Sequence, residues 1–564
     1  MAKLHGGRMT IKALQEEGVS HIFGICGGHI APIYDAMIDS DIALVSTRHE
    51  QAAVMMAEAM GRLSTRPGVA LVTAGPGFTN AITGIADAKM ACVPLVVIAG
   101  SVATNMEERL DLQDLNQIDV VKPLVKWAKR VIDPSRIPEA VHEAFKHAST
   151  GSPGPVYLEI PADILGTPVE EQKISWGKRV TPVNPSADYH AIQEVIKFLR
   201  SSKKPILIAG SGVWFAHGEK ELKAFAEKTG VPIYTSSMGK GTLPDDHPMC
   251  FGPSLAIRPG SAMAALTQAD LIILVGTRVS LFFAHGQIFN KSAKMVMVNI
   301  DPDEIGRNRE IDIPIVADAK KALGQLADSA GDINPEMFSE WRAQLKKAHD
   351  DAMAFFKPQL ENNNVPIHPL RLCWELEKFL NEEDILVLDG GDTQVWMNMV
   401  HKNSRGGGIL ESGLFGCLGV GLPFSLSAKT MHPDKRVFLI IGDGSVGFNF
   451  MELHTAVANN LPIVVVVNND HGWGMVRHSQ MLAYGKDRCF GVELGDVPYH
   501  KMAEMLGAWA TEVTNPEKIR DALEAAVASG KPSLINVQTQ PGVISPGSMA
   551  LASIGKKEGL LGGY

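Results

Sequence analysis

The sequence predicts an α/β protein built from three doubly wound parallel-sheet domains, and three observations lead there. Its 564 residues are enough for roughly three or four domains of ordinary size. Short β-rich apolar runs alternate with helical stretches along nearly the whole chain, as expected of strands covered on both faces by crossover helices. Hydrophobic residues make up 45% and charged residues 20%, a soluble balance with apolar material for several cores.

The first domain is expected over residues 1–185, with strands at 69–73, 95–98 and 155–160 and a helix over 51–63. The polar, Pro-containing stretch 167–185 reads as a linker. A central domain follows over 190–345, with strands at 205–209, 271–275 and 294–300. Two of these run into glycine turns, Gly210-Ser211-Gly212 and Gly276-Thr277-Arg278, and the third ends in Asn299-Ile300-Asp301. A glycine turn after a strand suits either a spacer domain or a nucleotide site, in which Asp301 would meet a ribose. After a second linker near 362–369, a third domain spans 365–541, with strands at 385–388, 437–441, 463–467 and 533–537. The first and third domains look related, since in each a strand precedes a helix rich in small residues (49–61 and 413–429). The tail, 542–564, is rich in Gly, Ser and Lys.

A formal net charge of −9 argues against nucleic acid as the main partner, because a phosphate backbone is held by a Lys/Arg surplus. The six cysteines form no CxxC pair, which fits neither a disulfide framework nor a zinc site. No apolar core segment precedes a cleavage site, and the apolar runs are of strand length, too short to cross a bilayer. A soluble, cytoplasmic protein is expected.

The strongest chemical signal is Gly442-Asp443-Gly444-Ser445 at the end of one apolar strand, followed by the strand 463–467 and Asn468-Asn469-Asp470-His471-Gly472. Parallel neighbours bring both strand ends to one carboxyl edge, where ligands bind. Two side-chain oxygens and a backbone carbonyl there suit magnesium with room left for phosphate oxygens, and the glycines allow close approach of the backbone.

At these residues the chain resembles the thiamine-diphosphate enzymes of the decarboxylase and acetohydroxyacid-synthase type. The resemblance implies the pyruvate-decarboxylase-like architecture of three such domains, with the diphosphate and Mg2+ held by Asp443, Asp470 and the Gly472 carbonyl. The family spacing lands on Asp470 where an asparagine is usual, and a one-residue shift would instead make Asn469 the ligand. Gly442, Gly444, Ser445, Trp473 and Gly474 would complete the diphosphate end. Glu50, in Thr47-Arg48-His49-Glu50, matches the family carboxylate that presses on the aminopyrimidine, where burial would raise its pKa. Thr73-Ala74-Gly75-Pro76-Gly77 matches the loop that closes over the coenzyme. Gly413-Leu414-Phe415-Gly416-Cys417-Leu418 resembles the segment that bends it, with the Gly416 carbonyl accepting from its amino group and Leu418 wedged beneath. Since Glu50 and Asp443 lie in different domains, and relatives combine them from different subunits, a homodimer at minimum and a homotetramer are implied.

Over nearly its full length the chain is most similar to the 2-hydroxyacyl-CoA lyases, of the actinobacterial 2-hydroxyisobutyryl-CoA lyase type, with oxalyl-CoA decarboxylase and benzaldehyde lyase as neighbours. That resemblance implies cleavage of a 2-hydroxyacyl-CoA thioester to formyl-CoA and a ketone or aldehyde, reversibly. It makes His29, Gln113 and Glu493 the candidate proton-handling and pocket residues. Lys402 and Arg405, with Lys556 and Lys557 in the tail, are candidates for the CoA phosphates, and Met475 and Ser479 for the acyl pocket. Arg278 and Asp301 are candidate ADP contacts, and the tail a closing lid. Two other readings stay open. One is a carboligase or decarboxylase without CoA, benzaldehyde-lyase-like or acetolactate-forming; the other is a non-catalytic subunit, which would have no need of both Glu50 and Asp443.

Overall fold

The computed structural model describes residues 3–254 and 260–550; Lys556, Lys557 and the rest of the proposed lid beyond 550 lie outside the described residues. Three six-stranded sheets organise the chain, and every ladder in them is parallel. The first runs Ala43–Ser46, His21–Gly24, Gly68–Val72, Leu95–Ser101, Pro155–Pro161, Trp127–Arg130. The third runs Ile409–Glu411, Ile385–Asp389, Val437–Gly442, Val464–Asn469, Ser533–Gln538, Trp509–Val513. Numbered within each sheet, both have the order 2-1-3-4-6-5, so the kinship suggested by their small-residue helices extends to topology. The central sheet, Cys250–Pro253, Ile233–Thr235, Pro205–Ala209, Leu271–Val275, Lys294–Asn299, Ile313–Val316, has the different order 3-2-1-4-5-6. The two-stranded pair Lys3–Leu4 with Val169–Glu170 is antiparallel.

Burial on both faces explains the continuous apolar runs. Every residue of Gly68–Val72, Leu95–Ser101 and Pro155–Pro161 is buried. Val69, Leu71, Val96, Ile98, Val156 and Leu158 feed one helical layer. Across the sheet, the helices Glu50–Ser64 and Pro76–Ala91 pack on each other, and their alanines and glycines permit close approach. A Cβ on Gly84 would stand 2.8 Å from Val54 Cγ1. Between the central and third sheets the chain forms the 22-residue helix Ser339–Leu360, which runs past the expected end of the central domain at 345. No described helix is long and apolar enough to cross a membrane.

The described chain packs as two compact units. One comprises 1–183, 412–434 and 448–463; the other comprises 184–411, 435–447 and 464–564, and so holds both the central and the third sheet. Within the second unit a buried ion pair ties these sheets together. Lys240 Nζ donates to Glu411 Oε2 at 2.7 Å and to Asn398 Oδ1 at 2.8 Å, and its side chain is fully buried. Gln394 and Asn398 amides donate to the same Glu411 oxygen. Burial opposes ionisation of Glu411, yet Lys240 and these amides together hold its pKa below the usual carboxylate range. Lys240→Met would strand that carboxylate, so chemical unfolding should show a loss of about 3–5 kcal/mol. Adding Glu411→Gln to the same chain should recover part of it.

Candidate active site

In a 2-1-3-4-6-5 sheet the chain reverses direction between the first and third strands, and ligands bind at the carboxyl edge beside that point. The chemistry-bearing residues of both outer sheets leave from this edge.

In the first unit, Glu50 opens the helix Glu50–Ser64, directly after the strand Ala43–Ser46. His49 is the N-cap, and its ring accepts from the Gln51 N–H at 3.1 Å. The corner hangs on Glu452, which is buried and whose Oε1 accepts the N–H groups of Arg48 (2.8 Å) and His49 (3.1 Å). Burial pushes the Glu452 carboxyl up, while Thr455 and these amides oppose the shift. Nothing in the sequence marks Glu452, because its partners lie some four hundred residues away. Asn80 Nδ2 donates to Glu50 Oε2 at 3.0 Å. Gly77 keeps the approach clear, since a Cβ there would meet Thr73 Cγ2 at 2.8 Å and Glu50 Oε1 at 3.5 Å. Glu50 is half-buried within the chain.

His29 lies in the turn Gly28–Ile30, packed on Gly100, where a Cβ would come within 2.9 Å of His29 Cβ. Gln113 adopts a left-handed conformation (φ 68°) and packs against Gly75. Four buried polar atoms of this region, His29 Nδ1, Tyr34 Oη, Thr73 Oγ1 and Ser101 Oγ, have no hydrogen-bond partner among the described residues. Burial, with smaller contributions from Cys26 and Glu50, pushes the Tyr34 hydroxyl well up. Gly413–Phe415, which precedes Gly416 and Leu418, packs on the helix Pro76–Ala91 in the same unit; Gly416 is left-handed (φ 66°) and Leu418 half-buried.

In the second unit, the pairing of Gly442 with Asn468 brings Asp443 and the turn after Asn469 to one edge. Asp443 is 3% exposed, and its oxygens accept the main-chain Gly444 N–H at 2.9 Å and Gly472 N–H at 2.8 Å. Its own carbonyl takes the Tyr499 hydroxyl at 2.8 Å. Burial, and then the charge of Asp470, push the Asp443 carboxyl up to about 7. Asp470 is raised by burial, with Arg477 opposing from 3.0 Å. Asn469 points elsewhere: its amide donates to Asn536 Oδ1 at 3.1 Å and accepts the His471 N–H at 3.1 Å. Of the two candidate ligands, therefore, Asp470 faces Asp443. Asn468 donates to Thr393 Oγ1, while its Oδ1 has no partner among the described residues.

Glycines shape the rest of this edge. A Cβ on Gly444 would strike the Trp473 ring at 2.6 Å, one on Gly474 would meet Asp470 Oδ2 at 2.9 Å, and one on Gly472 would overlap the Arg477 guanidinium. Gly390 (φ 93°) precedes the helix Gly391–Val400, with space for a Cβ only 3.2 Å from Ser445 Oγ. A helix start flanked by glycines and a serine hydroxyl is a natural phosphate cradle. Among the described residues no cluster of three or more His, Cys, Asp or Glu side chains could hold a metal. The two facing carboxylates still fit a divalent cation, whose charge would replace the proton that burial and mutual repulsion impose on them.

Other expected residues are committed elsewhere. Both Glu493 oxygens are bound by Arg477, at 3.1 and 2.9 Å, although the side chain is 70% exposed. Arg405 does not reach outward for a phosphate; its guanidinium donates to the carbonyls of Glu382, Glu383 and Asp384. Lys402 is exposed, and its N–H is held by Glu377. Met475 packs over Gly391, and Ser479 Oγ donates back to the Met475 carbonyl. Arg278 and Asp301 follow the neighbouring strands Leu271–Val275 and Lys294–Asn299 of the central sheet, where Asp301 caps the turn Pro302–Glu304. Sequence reasoning passed over Asp392, whose buried carboxylate accepts from His478, Ser545 and Ser548. The Gly390-Gly391-Asp392 pattern after an apolar strand, a near mirror of Gly442-Asp443-Gly444, was the available signal.

Three family profiles match the chain: the N-terminal thiamine pyrophosphate binding domain over 4–120, the thiamine pyrophosphate enzyme central domain over 192–326, and the C-terminal thiamine pyrophosphate binding domain over 389–537. Among curated proteins, one from Methanococcus aeolicus described as a probable acetolactate synthase large subunit is 33% identical, over 95% of this chain and 92% of its own. The 2-hydroxyacyl-CoA lyase 2 of Caenorhabditis elegans is 32% identical over 95% and 90%. The human 2-hydroxyacyl-CoA lyase 1 is 30% identical over 96% and 95%.

The folded pKa of Asp443 lies above its ordinary value, so without a cation the native state holds a proton that the unfolded chain has released. Stability of the metal-free protein should therefore fall as pH rises from about 4 to about 7. Magnesium should raise the unfolding temperature more at about pH 8 than at about pH 6, where the proton competes. Thermal shift with and without Mg2+ checks this, and Asp443→Asn should abolish the difference.

Proposed function

The chain belongs to the thiamine pyrophosphate enzyme family, and from that premise we propose a lyase that cleaves a 2-hydroxyacyl-CoA, such as 2-hydroxyisobutyryl-CoA, into formyl-CoA and a ketone or aldehyde, reversibly. The observation that carries the substrate class is the placing of His29 and Gln113 in loops that follow strands of the sheet that also presents Glu50, with His29 Nδ1 buried and without a hydrogen-bond partner among the described residues. The named 2-hydroxyacyl-CoA lyases among the relatives support it.

When bound, thiamine diphosphate supplies the nucleophilic carbon and electron sink needed to break a bond beside a carbonyl. In this proposal Asp443, Asp470 and the Gly472 carbonyl hold Mg2+, and Gly442, Gly444, Ser445, Trp473 and Gly474 line the diphosphate. Asn469 serves as a strut to the neighbouring strand. Glu50, steadied by Asn80, faces the aminopyrimidine; the Gly416 carbonyl and Leu418 contact the coenzyme rings. Gln113 hydrogen-bonds the thioester end of the substrate. The 2-hydroxyl proton passes to His29 or to Glu493, and Glu493 must first release Arg477. Met475 and Ser479 border the acyl group, and Lys402 and Arg405 are the described candidates for the CoA phosphates, Arg405 after releasing the carbonyls it holds. An ADP at Arg278 and Asp301 remains part of the proposal, as do a cytoplasmic location and a homodimer or homotetramer. A second copy would cover the half-exposed Glu50 and the exposed Leu110, Leu112, Phe448 and Met451 of the first unit.

Acetolactate formation is the second reading, favoured by the 33% identical relatives of that name. Mass spectrometry of products separates the two. Incubation with 2-hydroxyisobutyryl-CoA should yield formyl-CoA and acetone; acetolactate from pyruvate, without thioester cleavage, would overturn the lyase reading. Glu50→Gln should lower turnover by about 10²–10⁴-fold with coenzyme binding retained. His29→Ala and Glu493→Gln should each cost at least about 10²-fold, and whichever leaves turnover unchanged has no part in the proton transfer.

A further inference from the structure

We propose that Gln117 is a positioning residue, a buried amide that sets where His29, Gln113 and the Gly75-Pro76-Gly77 turn stand relative to Glu50; the inference rests on the site assignment above. Gln117 is 1% exposed and begins the short helix Gln117–Val121. Its Oε1 accepts the Gly75 N–H at 2.8 Å. Its Nε2 donates to the Gly100 carbonyl at 2.9 Å and to Glu159 Oε2 at 3.0 Å, and lies 3.1 Å from Tyr157 Oη. One side chain thus links the loop after the strand Gly68–Val72 to the last residues of the strand Leu95–Ser101, where the next loop begins.

Each loop carries part of the proposed site. Gly75 has φ 57° and ψ −110°, a conformation for which L residues have no ready place, and it caps the helix Pro76–Ala91. On one side it touches Gln113; two residues on, Gly77 lies beside Glu50. Gly100 is packed directly on the His29 backbone and Cβ. A shift of either loop therefore moves a proposed substrate group against the proposed coenzyme carboxylate.

The amide is suited to this place because it presents an acceptor and two donors in one plane. The ionisable groups facing it are Glu159 and Tyr157 on Pro155–Pro161; behind them Arg130 Nε stands 3.4 Å from Glu159 Oε1, and Glu107 pairs with Arg130. A glutamate at this position could accept from Gly75 but, once ionised, could not donate to Gly100, and it would confront Glu159. Protonated, it would restore one donor.

The test measures kcat and KM against pH for the wild type, Gln117→Leu and Gln117→Glu, with Mg2+–thiamine diphosphate affinity read by calorimetry. Gln117→Leu should lower kcat by about 10- to 100-fold, with KM moving less and coenzyme affinity within about threefold. Gln117→Glu should gain an alkaline loss of activity absent from the wild type, with acid pH recovering it. Wild-type kcat in Gln117→Leu, or a loss wholly explained by weaker coenzyme binding, overturns the proposal. If Gln117→Leu fails to fold, the Gln117→Glu profile decides: one parallel to the wild type overturns it. Should the wild type turn over pyruvate and no acyl-CoA, the substrate reading falls, and the same variants are measured on pyruvate.

Discussion

Asp443 and Asp470 share a buried edge with too little positive charge. One guanidinium, Arg477, serves Asp470 and is divided with Glu493, while Asp443 accepts two backbone amides. Two carboxylates in that setting are stable when something takes up the surplus negative charge, whether a proton or a cation. Much of the neighbouring chain follows from that constraint. A side chain on Gly472 would overlap the Arg477 guanidinium, and one on Gly474 would crowd Asp470 Oδ2 at 2.9 Å. Glu493 is drawn in by the same guanidinium, and the bridge between Gly472 and Glu493 fixes the loop after the metal turn. The expected base is thus also a strut for the expected metal site, so the two roles are physically coupled.

The first sheet solves a related problem with neutral groups. It has the same strand order as the third, so equivalent exits are comparable. Where the third sheet's third strand delivers Asp443-Gly444-Ser445, the first sheet's delivers Thr73-Ala74-Gly75-Pro76-Gly77, whose polar anchor is the amide of Gln117 rather than an ion. Its one facing carboxylate, Glu50, is steadied by Asn80 and stays partly open. One strand order thus presents a pair of carboxylates at one sheet edge and a single amide-steadied carboxylate at the other.

The central strands were legible because burial on both faces makes them continuous apolar runs. Edge strands were not: Trp127–Arg130 reads WAKR and Trp509–Val513 reads WATEV, each covered on one side only and therefore mixed in composition. Ala43–Ser46 and Ile409–Glu411 are four and three residues long, too short to register a period. At the candidate site, motif and spacing placed Asp443 and Glu50 beside the ends of strands, but which of Asn469 and Asp470 turns toward Asp443 could be seen only from side-chain direction. Asn469 ends the strand facing Asn536 on its neighbour, and the chain turns before Asp470. Arg405 could not be placed from sequence at all, since carbonyls of Glu382 to Asp384 are not encoded by any residue type.

Asp392 shows how a local conflict is resolved by distant residues. An acid in the first turn of the helix Gly391–Val400 is favoured by the free amides there, yet a phosphate at the same helix start would need those amides and would be repelled by the acid. The structure turns the carboxylate elsewhere. One oxygen accepts from Ser545 and Ser548, the other lies 2.6 Å from His478 Nδ1, and all four side chains are buried or nearly so. Hydroxyl and imidazole donors thus hold the acid in place of the helix amides. The segment around residue 545 and the helix after the metal turn are thereby fastened to the start of Gly391–Val400. The chain thereby brings its last described residues back to this glycine-flanked helix start through an interaction that also turns the acid away from the helix amides.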